Sequence, residues 1–316
     1  MEECKICGNT DNNTTVVARE MMFGLRDEFK YLECGKCGCL QIKEIPANIA
    51  KYYPENYYSY LGKSEDQLIQ NSLSKSLKRN LKKKLLNYYL HGNSLTGKLI
   101  FSNYKSYYPW IKKNTLTNDS KILDVGCGSG ELLLEMYNDG FKDLTGVDPY
   151  IEHEINYKCG ITIYKKQLED LAEKYDLIML HHAFEHMDQP LAILKKMFHL
   201  LNNKGFVLIR IPVAACFAWR KYGVNWVQLD PPRHFFLHTT KSMQILCEQS
   251  GFRLMDVVYD SYSLQFTGSE QYLRNIPLME DVQLFTEKEI GEFTNEANRL
   301  NKIKDGDAAC FYLFKE

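Results

Sequence analysis

What the chain lacks narrows it first. Its 39 Lys+Arg stand against 40 Asp+Glu over 316 residues, a net charge of −1, so nothing in the overall balance attracts a polyanion and a nucleic-acid partner is not expected. No uncharged apolar run reaches the ~18 residues of a membrane span. The start, Met1-Glu-Glu-Cys-Lys-Ile-Cys-Gly8, carries no apolar signal segment, and a cytoplasmic location is expected. Prolines are few, 9 in all, while 45% of residues are apolar, which excludes disorder as the main state. At about 100–200 residues per domain the length predicts two units, or one large domain with an appendage.

Cysteine is unevenly spread. Of 10 cysteines, five stand at positions 4, 7, 34, 37 and 39, and Cys127, Cys159, Cys216, Cys247 and Cys310 are scattered singly. In a reducing compartment paired CxxC motifs are metal sites before they are disulfides. Cys4-Lys-Ile-Cys7-Gly8 and Cys34-Gly-Lys-Cys37-Gly38 each place two thiols at i and i+3, followed by a glycine suited to a tight knuckle. Four thiolates predict one structural, tetrahedral Zn²⁺ with no open position. Between the knuckles, Val16, Val17, Met21, Met22, Phe23, Phe29 and Tyr31 suffice for a short hairpin but not for an independent core, so metal would supply folding energy. Cys39 is a spare that a shifted register could use in place of Cys37.

From Ile45 to Trp110 the composition turns to tyrosine, asparagine and lysine, with Tyr52, Tyr53, Tyr57, Tyr58 and Tyr60 around Pro54. Their use is as packing between domains or as a cover over substrate. Leu73, Leu77, Leu81 and Leu85 recur every four residues among Lys75, Lys78, Arg79, Lys82, Lys83 and Lys84, with no acid from Ser72 to Leu90. That pattern predicts a helix packed through its leucines whose basic face is solvated or touches a phosphorylated substrate or, over 73–90, an anionic membrane surface.

The chemistry concentrates in Lys121-Ile-Leu-Asp124-Val-Gly126-Cys127-Gly128-Ser129-Gly130-Glu131. An apolar run, then glycines, then a helical pattern reads as strand, turn and helix of a βαβ unit. The glycines fall at i, i+2 and i+4, and Glu131 stands where a dinucleotide fingerprint needs its third glycine; no Walker lysine follows. Asp124, just before the turn, would repel a pyrophosphate but suits a cationic ligand such as S-adenosylmethionine. Leu144-Thr-Gly-Val-Asp148-Pro149 reads as a second strand ending in an acid 22 residues after Gly126, placed to accept the two hydroxyls of a ribose. Cys127 reads as a small space-filler, since transfer from a sulfonium needs no protein nucleophile.

These residues resemble the S-adenosylmethionine-dependent class I methyltransferases, whose first motif is similar to D-x-G-x-G-x-G. The resemblance continues through Ile161 to Asp170 and through Tyr175-Asp176-Leu-Ile-Met-Leu180. It then takes in His181-His182-Ala-Phe-Glu185-His186-Met-Asp188-Gln-Pro190, and a fifth strand over Gly205 to Ile211. It implies an α/β fold with a Rossmann-like sheet of seven strands, mostly parallel with the last, Ala309 to Phe314, antiparallel. It further implies a cofactor site formed by Asp124, Gly126, Cys127, Gly128, Asp148, Pro149, Gln167, Leu168 and His181. The expected organisation is a zinc-ribbon module over 1–44, a Tyr-rich helical linker or lid over 45–115, and the methyltransferase domain over 116–316.

Methyl transfer is an in-line displacement in which the protein aligns the acceptor and removes one proton. Histidine is the base suited to neutral pH, and His234, in Asp230-Pro-Pro-Arg233-His234-Phe-Phe-Leu-His238, and His186 are the catalytic candidates. The zinc module, the Tyr-rich connector and this order of motifs also resemble the sugar C-methyltransferases and other methyltransferases of surface-polysaccharide pathways. There a Glu-His pair stands where this chain has Arg233-His234. Without the carboxylate, the resemblance implies O-methylation of a sugar, nucleotide-sugar or glycan hydroxyl, with Arg233 free to hold an acceptor anion. The alternatives are a quinone or small-molecule O-methyltransferase, or a module that binds the cofactor without turnover.

Overall fold

The computed structural model describes residues 2–54, 108–111 and 116–316. The leucine-spaced basic segment, its suggested membrane contact and Tyr57, Tyr58 and Tyr60 lie outside the described residues. Twelve strands are described: β1 (Thr14–Arg19), β2 (Glu28–Glu33), β3 (Leu40–Ile42), β4 (Lys121–Val125), β5 (Asp143–Val147), β6 (Ile155–Asn156), β7 (Thr162–Tyr164), β8 (Tyr175–His181), β9 (Leu201–Pro212), β10 (Phe236–Leu237), β11 (Arg253–Tyr259) and β12 (Ala308–Phe314). They form a four-stranded sheet, β1-β2-β3-β10, and an eight-stranded sheet, β11-β12-β9-β8-β4-β5-β7-β6.

The chain divides into two compact units, one of Met1–Pro54, His182–Lys195 and Ile209–Leu313, the other of Glu55–His181, Lys196–Leu208 and Phe314–Glu316. In the second unit β4 pairs in parallel with both β5 and β8, and β5 in parallel with β7. Strands buried on both faces read as continuous apolar runs, and Ile122, Leu123, Leu177, Ile178 and Leu180 are wholly buried. The eighth strand is β6, antiparallel to β7. It exists because Gly160 donates its N–H to the Tyr157 carbonyl at 2.9 Å and Tyr157 donates to Ile161 at 2.9 Å, closing a hairpin that apolar patterning does not announce. β9 starts at Leu201 rather than Gly205, because Lys204 and Gly205 exchange backbone hydrogen bonds with Lys315, each 3.0 Å. At the far end of β9, Val213 donates to Asp307 at 2.8 Å; one register rises as the other falls, so β12 runs antiparallel as expected.

In the first unit β1, β2 and β3 pair antiparallel, and β10 completes their sheet by pairing with β3. Its core joins Ala18, Tyr31, Leu40 and Ile42 to Ala218, Trp226, Leu229, Leu237, Phe266 and Leu300. Fifty-odd N-terminal residues are too few for a core of their own, and these borrow apolar surface from the later segments. The helix Thr240–Ser250 starts on a reciprocal cap between Thr239 and Ser242 and stops at Gly251 with φ 87°. Among the described residues no helix is long and apolar enough to cross a membrane.

Candidate functional site

In the second unit the carboxyl ends of β4, β5, β7 and β8 carry the sequence-predicted cofactor residues, where open α/β sheets bind ligands. After β4 the chain turns through Gly126, Gly128 and Gly130 at φ 72°, 53° and 77°, a left-handed path that side chains with a Cβ resist. A Cβ on Gly130 would also sit 2.5 Å from Ile163 Cδ1. The turn is pinned from β5: Gly126 donates to the Val147 carbonyl at 2.8 Å, and Gly128 donates to Asp148 Oδ2 at 2.9 Å. Tyr150 donates to the other oxygen, Oδ1, at 2.9 Å. Each carboxylate oxygen of Asp148 therefore accepts one backbone N–H and keeps capacity for a second donor.

Asp124 is buried, and burial, reinforced by the charge of Asp148, pushes its carboxyl up to about 8. A buried acid facing a second acid is short of a cation. Cys127 as a residue is half-buried, yet its sulfur lies where a Cβ on Gly146 would come within 2.5 Å. Burial first, then Asp124 and Asp148, push its thiol up, which suits a space-filler and not a nucleophile. Pro149 is half-buried, Leu168 is buried in the short turn Leu168–Asp170, and the Gln167 N–H is held by Asp170 Oδ2 at 3.1 Å. His181 closes β8 against Trp110, ring centroids 4.7 Å apart.

In the first unit the catalytic candidates come together around a buried carboxylate. The rings of His186 and His234 meet at 4.9 Å and 64°, and His234 Nε2 stands 4.0 Å from Glu185 Oε1. His182, at φ 53°, approaches the same oxygen with Nδ1 at 3.4 Å. Its Nε2 faces the Arg210 guanidinium, a donor only, so the proton of a neutral His182 resides on Nδ1, toward Glu185. Burial raises the Glu185 carboxyl, but His182, His186 and His234 outweigh it and hold it at about 2. Burial lowers His234 to about 4, so it is neutral at pH 7. Its Nδ1 lies 2.7 Å from the Gln228 carbonyl and that of His186 lies 2.8 Å from the Arg233 carbonyl. A carbonyl only accepts, so both imidazoles carry their proton on Nδ1 and present Nε2 as a base.

Arg233 does not face an acceptor. It is wholly buried, with Nε on Asp230 Oδ2 at 2.9 Å, Nη1 on the Tyr52 carbonyl at 3.1 Å, and Nη2 on Glu20 Oε1 at 2.9 Å and Asp230 Oδ1 at 2.5 Å. Burial works against each charge, yet Arg233 overrides it at Asp230, whose carboxyl stays below the ordinary value. The sequence pattern of an arginine beside a candidate base invited an anion-binding role; the guanidinium is spent on the protein's own carboxylates. Glu20 and the His182–Glu185 pair were missed, and the i, i+3 spacing of a histidine and an acid after a strand was the available signal.

The four cysteines of the CxxC motifs converge. Cys4 Sγ lies 3.7 Å from Cys37 Sγ and Cys7 Sγ lies 3.5 Å from Cys34 Sγ, with all four sulfurs within 4.8 Å of one another. Tetrahedral zinc with bonds of about 2.3 Å asks for sulfurs about 3.8 Å apart. Gly8 and Gly38 take φ 69° and 72°, and the Lys36 and Cys37 N–H groups each approach Cys34 Sγ at 3.4 Å. Cys39 stays outside the cluster, buried with its thiol toward the Leu40 carbonyl, and the four sulfurs that converge are those of the unshifted register.

Comparison with known proteins matches residues 97–257 to a family described as a methyltransferase domain. A tRNA U34 carboxymethyltransferase of Helicobacter pylori is 25% identical over 236 residues, 68% of this chain and 84% of that protein. Another so named, from Sulfurimonas denitrificans, is 24% identical over 188 residues, 52% of this chain and 60% of its own length. Among solved structures, a SAM-dependent methyltransferase from Archaeoglobus fulgidus is 18% identical, covers 73% of this chain and 98% of its own, and superposes with a TM-score of 0.41. The relatives named for tRNA overturn two expectations: a sugar, glycan, quinone or other small-molecule acceptor, and the absence of a nucleic-acid partner. The charge argument failed because a net of −1 is a sum over 316 residues, whereas phosphate contacts depend on local runs of lysine and arginine.

Proposed function

The chain belongs to the methyltransferase-domain family, and from that premise we propose that it transfers the alkyl group of an S-adenosylmethionine-type sulfonium to a nucleoside of tRNA. The observation that carries the acceptor is the match, over 52% to 68% of the chain, to relatives named tRNA U34 carboxymethyltransferase. The reaction is a displacement: a heteroatom of the nucleoside attacks the carbon on sulfur, the carbon–sulfur bond breaks, a neutral thioether leaves, and the acceptor's proton goes to a base. Asp124 answers the positive charge of the cofactor. Asp148 accepts the ribose hydroxyls on the capacity its backbone donors leave, and Gly126, Cys127, Gly128, Pro149, Gln167, Leu168 and His181 line the rest of the pocket. The bases offered for that proton are the Nε2 atoms of His234 and His186 beside Glu185, all in the first unit.

The six basic residues from Lys75 to Lys84, with no acid between Ser72 and Leu90, supply the local positive charge that a tRNA backbone requires. In this reading residues 1–44 are a zinc-binding module on Cys4, Cys7, Cys34 and Cys37, residues 45–115 bring substrate-binding charge, and residues 116–316 carry the transfer. Support for zinc is the fit of the sulfur separations to one tetrahedral ion.

The test is nucleoside mass spectrometry of tRNA from cells lacking the gene, before and after incubation with the purified protein and cofactor. One tRNA nucleoside should gain the mass of the transferred group, and Asp148→Ala should abolish the gain. If no tRNA nucleoside changes mass in either the cells or the incubation, the acceptor is wrong.

A further inference from the structure

Apart from the cysteines, one other group among the described residues has the makings of a metal site. Glu185, His186 and His234 each offer a ligand atom, and the three atoms lie within 4.8 Å of one another. We propose that this cluster binds one divalent first-row transition-metal ion through Nε2 of His186, Nε2 of His234 and a carboxylate oxygen of Glu185.

Three observations carry the proposal. Glu185 is wholly buried, and its carboxylate has no partner closer than the His182 Nδ1–H at 3.4 Å. A buried carboxylate whose one donor is that long retains both oxygens' capacity for a cation. Second, both imidazoles are held in the tautomer a metal needs. With Nδ1 of His186 at 2.8 Å from the Arg233 carbonyl and Nδ1 of His234 at 2.7 Å from the Gln228 carbonyl, each Nε2 lone pair is left for coordination, and such carbonyl partners are the usual outer support of metal-binding histidines. Third, the trio is compact enough to close on one ion, with its ligand atoms within 4.8 Å of one another. Two ligand atoms each about 2.1 Å from a metal lie at most about 4.2 Å apart, and His234 Nε2 to Glu185 Oε1 is 4.0 Å.

The backbone presets the trio, since Phe235 donates to the Glu185 carbonyl at 2.7 Å and so ties the segments that bear Glu185 and His234. Asp230 Oδ2, 3.8 Å from His234 Nε2, stays outside because Arg233 holds both its oxygens. Two imidazoles and one carboxylate leave open positions on the ion, to which an acceptor oxygen can bind and there lose its proton more readily. This use of the ion rests on the acceptor-end role proposed above; the binding itself does not.

The experiment is a Mn²⁺ titration of the full chain followed by electron paramagnetic resonance, without cofactor or tRNA, so its outcome is independent of the acceptor. Four thiolates disfavour hard Mn²⁺, so uptake reports this cluster. About one equivalent should disappear from the free-ion signal, and Glu185→Gln and His234→Ala should each weaken binding more than tenfold. In case a variant fails to fold, imidazole nitrogen NMR of the unmutated protein supplies the second readout: Mn²⁺ should broaden His186 and His234 and spare the exposed His153 and His199. The proposal is overturned by an undiminished free-ion signal, by uptake unchanged in Glu185→Gln, or by equal broadening of all histidines.

Discussion

Asp124→Asn tests the cofactor loop through a proton. Burial and Asp148 hold the Asp124 carboxyl at about 8, against 3.8 for an ordinary aspartate. The folded value lies above the unfolded one, so between pH ~4 and ~8 the folded chain keeps a proton that the unfolded chain releases, and stability falls as pH rises through that window. Keeping this acid protonated at pH 7 costs about 4 kcal/mol, taking 1.36 kcal/mol per pH unit. A cation placed against Asp124 reverses the preference and expels the proton. Below pH 8 the affinity for S-adenosylmethionine should therefore rise up to about tenfold per pH unit, with close to one proton released on binding.

Calorimetry between pH ~5 and ~6.7, in two buffers of different ionisation enthalpy, reads both quantities; the ligand's own α-amino group titrates near about 7.7–8.0 and stays at least about nine-tenths charged in this range. In Asp124→Asn the pH dependence should vanish and binding at pH 7.5 should weaken, while urea unfolding at pH 8 should show a protein at least as stable as the unmutated one. Affinity that is flat with pH and released no proton in the unmutated chain would refute the placement of positive charge at Asp124.

The remaining expectations are briefer. Cys34→Ser should lose about one zinc per chain by metal analysis and destabilise the unit containing residues 1–54, because the ion's binding energy is folding energy; a variant that folds with full zinc content would remove the cluster from the metal's ligands. A Cβ on Gly146 would sit 2.5 Å from Cys127 Sγ and 2.6 Å from Ile163 Cδ1, so Gly146→Ala should cost about 1–3 kcal/mol in urea unfolding and loosen the glycine turn, whereas Cys127→Ala with Gly146→Ala should recover part of that loss. Arg233→Ala leaves Glu20 and Asp230 buried without their cation and should cost about 3–5 kcal/mol; a loss under about 1 kcal/mol would mean that water reaches the network.

The strand, glycine turn and acid of the proposed cofactor loop were legible as local structure because each is local. Asp124, the three positive-φ glycines and Asp148 lie within 25 positions of one another, and apolar runs flanked by glycine carry their own geometry. So were the knuckles, whose chemistry resides in a four-residue spacing. What stayed hidden depends on pairing across distance in the sequence. Nothing near Arg233 announces Glu20, 213 positions away, and nothing in Phe236-Leu237 announces that it completes the sheet of β3. The proposed tRNA acceptor was hidden for a different reason, since total charge averages away the local run from Lys75 to Lys84 that a phosphate backbone would meet.

Those long-range pairings tie the N-terminal segment that carries the cysteine cluster to the backbone around His234. Within the first unit Thr239 donates from Oγ1 to the Cys37 carbonyl at 2.6 Å, and Ile42 donates to the Phe235 carbonyl at 2.9 Å. Tyr31 donates from its hydroxyl to the His234 carbonyl at 2.8 Å, and Glu20 holds Arg233. From Arg233 to Thr239, then, the chain is fastened at four points to the N-terminal segment, two of them between the two knuckles, the third on the second knuckle at Cys37 and the fourth at Ile42 just beyond it. A histidine whose Nε2 must meet Glu185 within about an ångström gains that precision from the backbone on either side of it. Losing the proposed zinc from the cysteines should accordingly disturb the His234 ring before it unfolds β4, β5 and β8, which belong to the other unit. Nitrogen NMR of the imidazoles in Cys34→Ser, compared with the unmutated protein with no other divalent ion added, separates the two: a shifted His234 signal alongside an intact cofactor affinity is the expected result, and an unshifted His234 in the variant would show that the cysteine cluster does not position it.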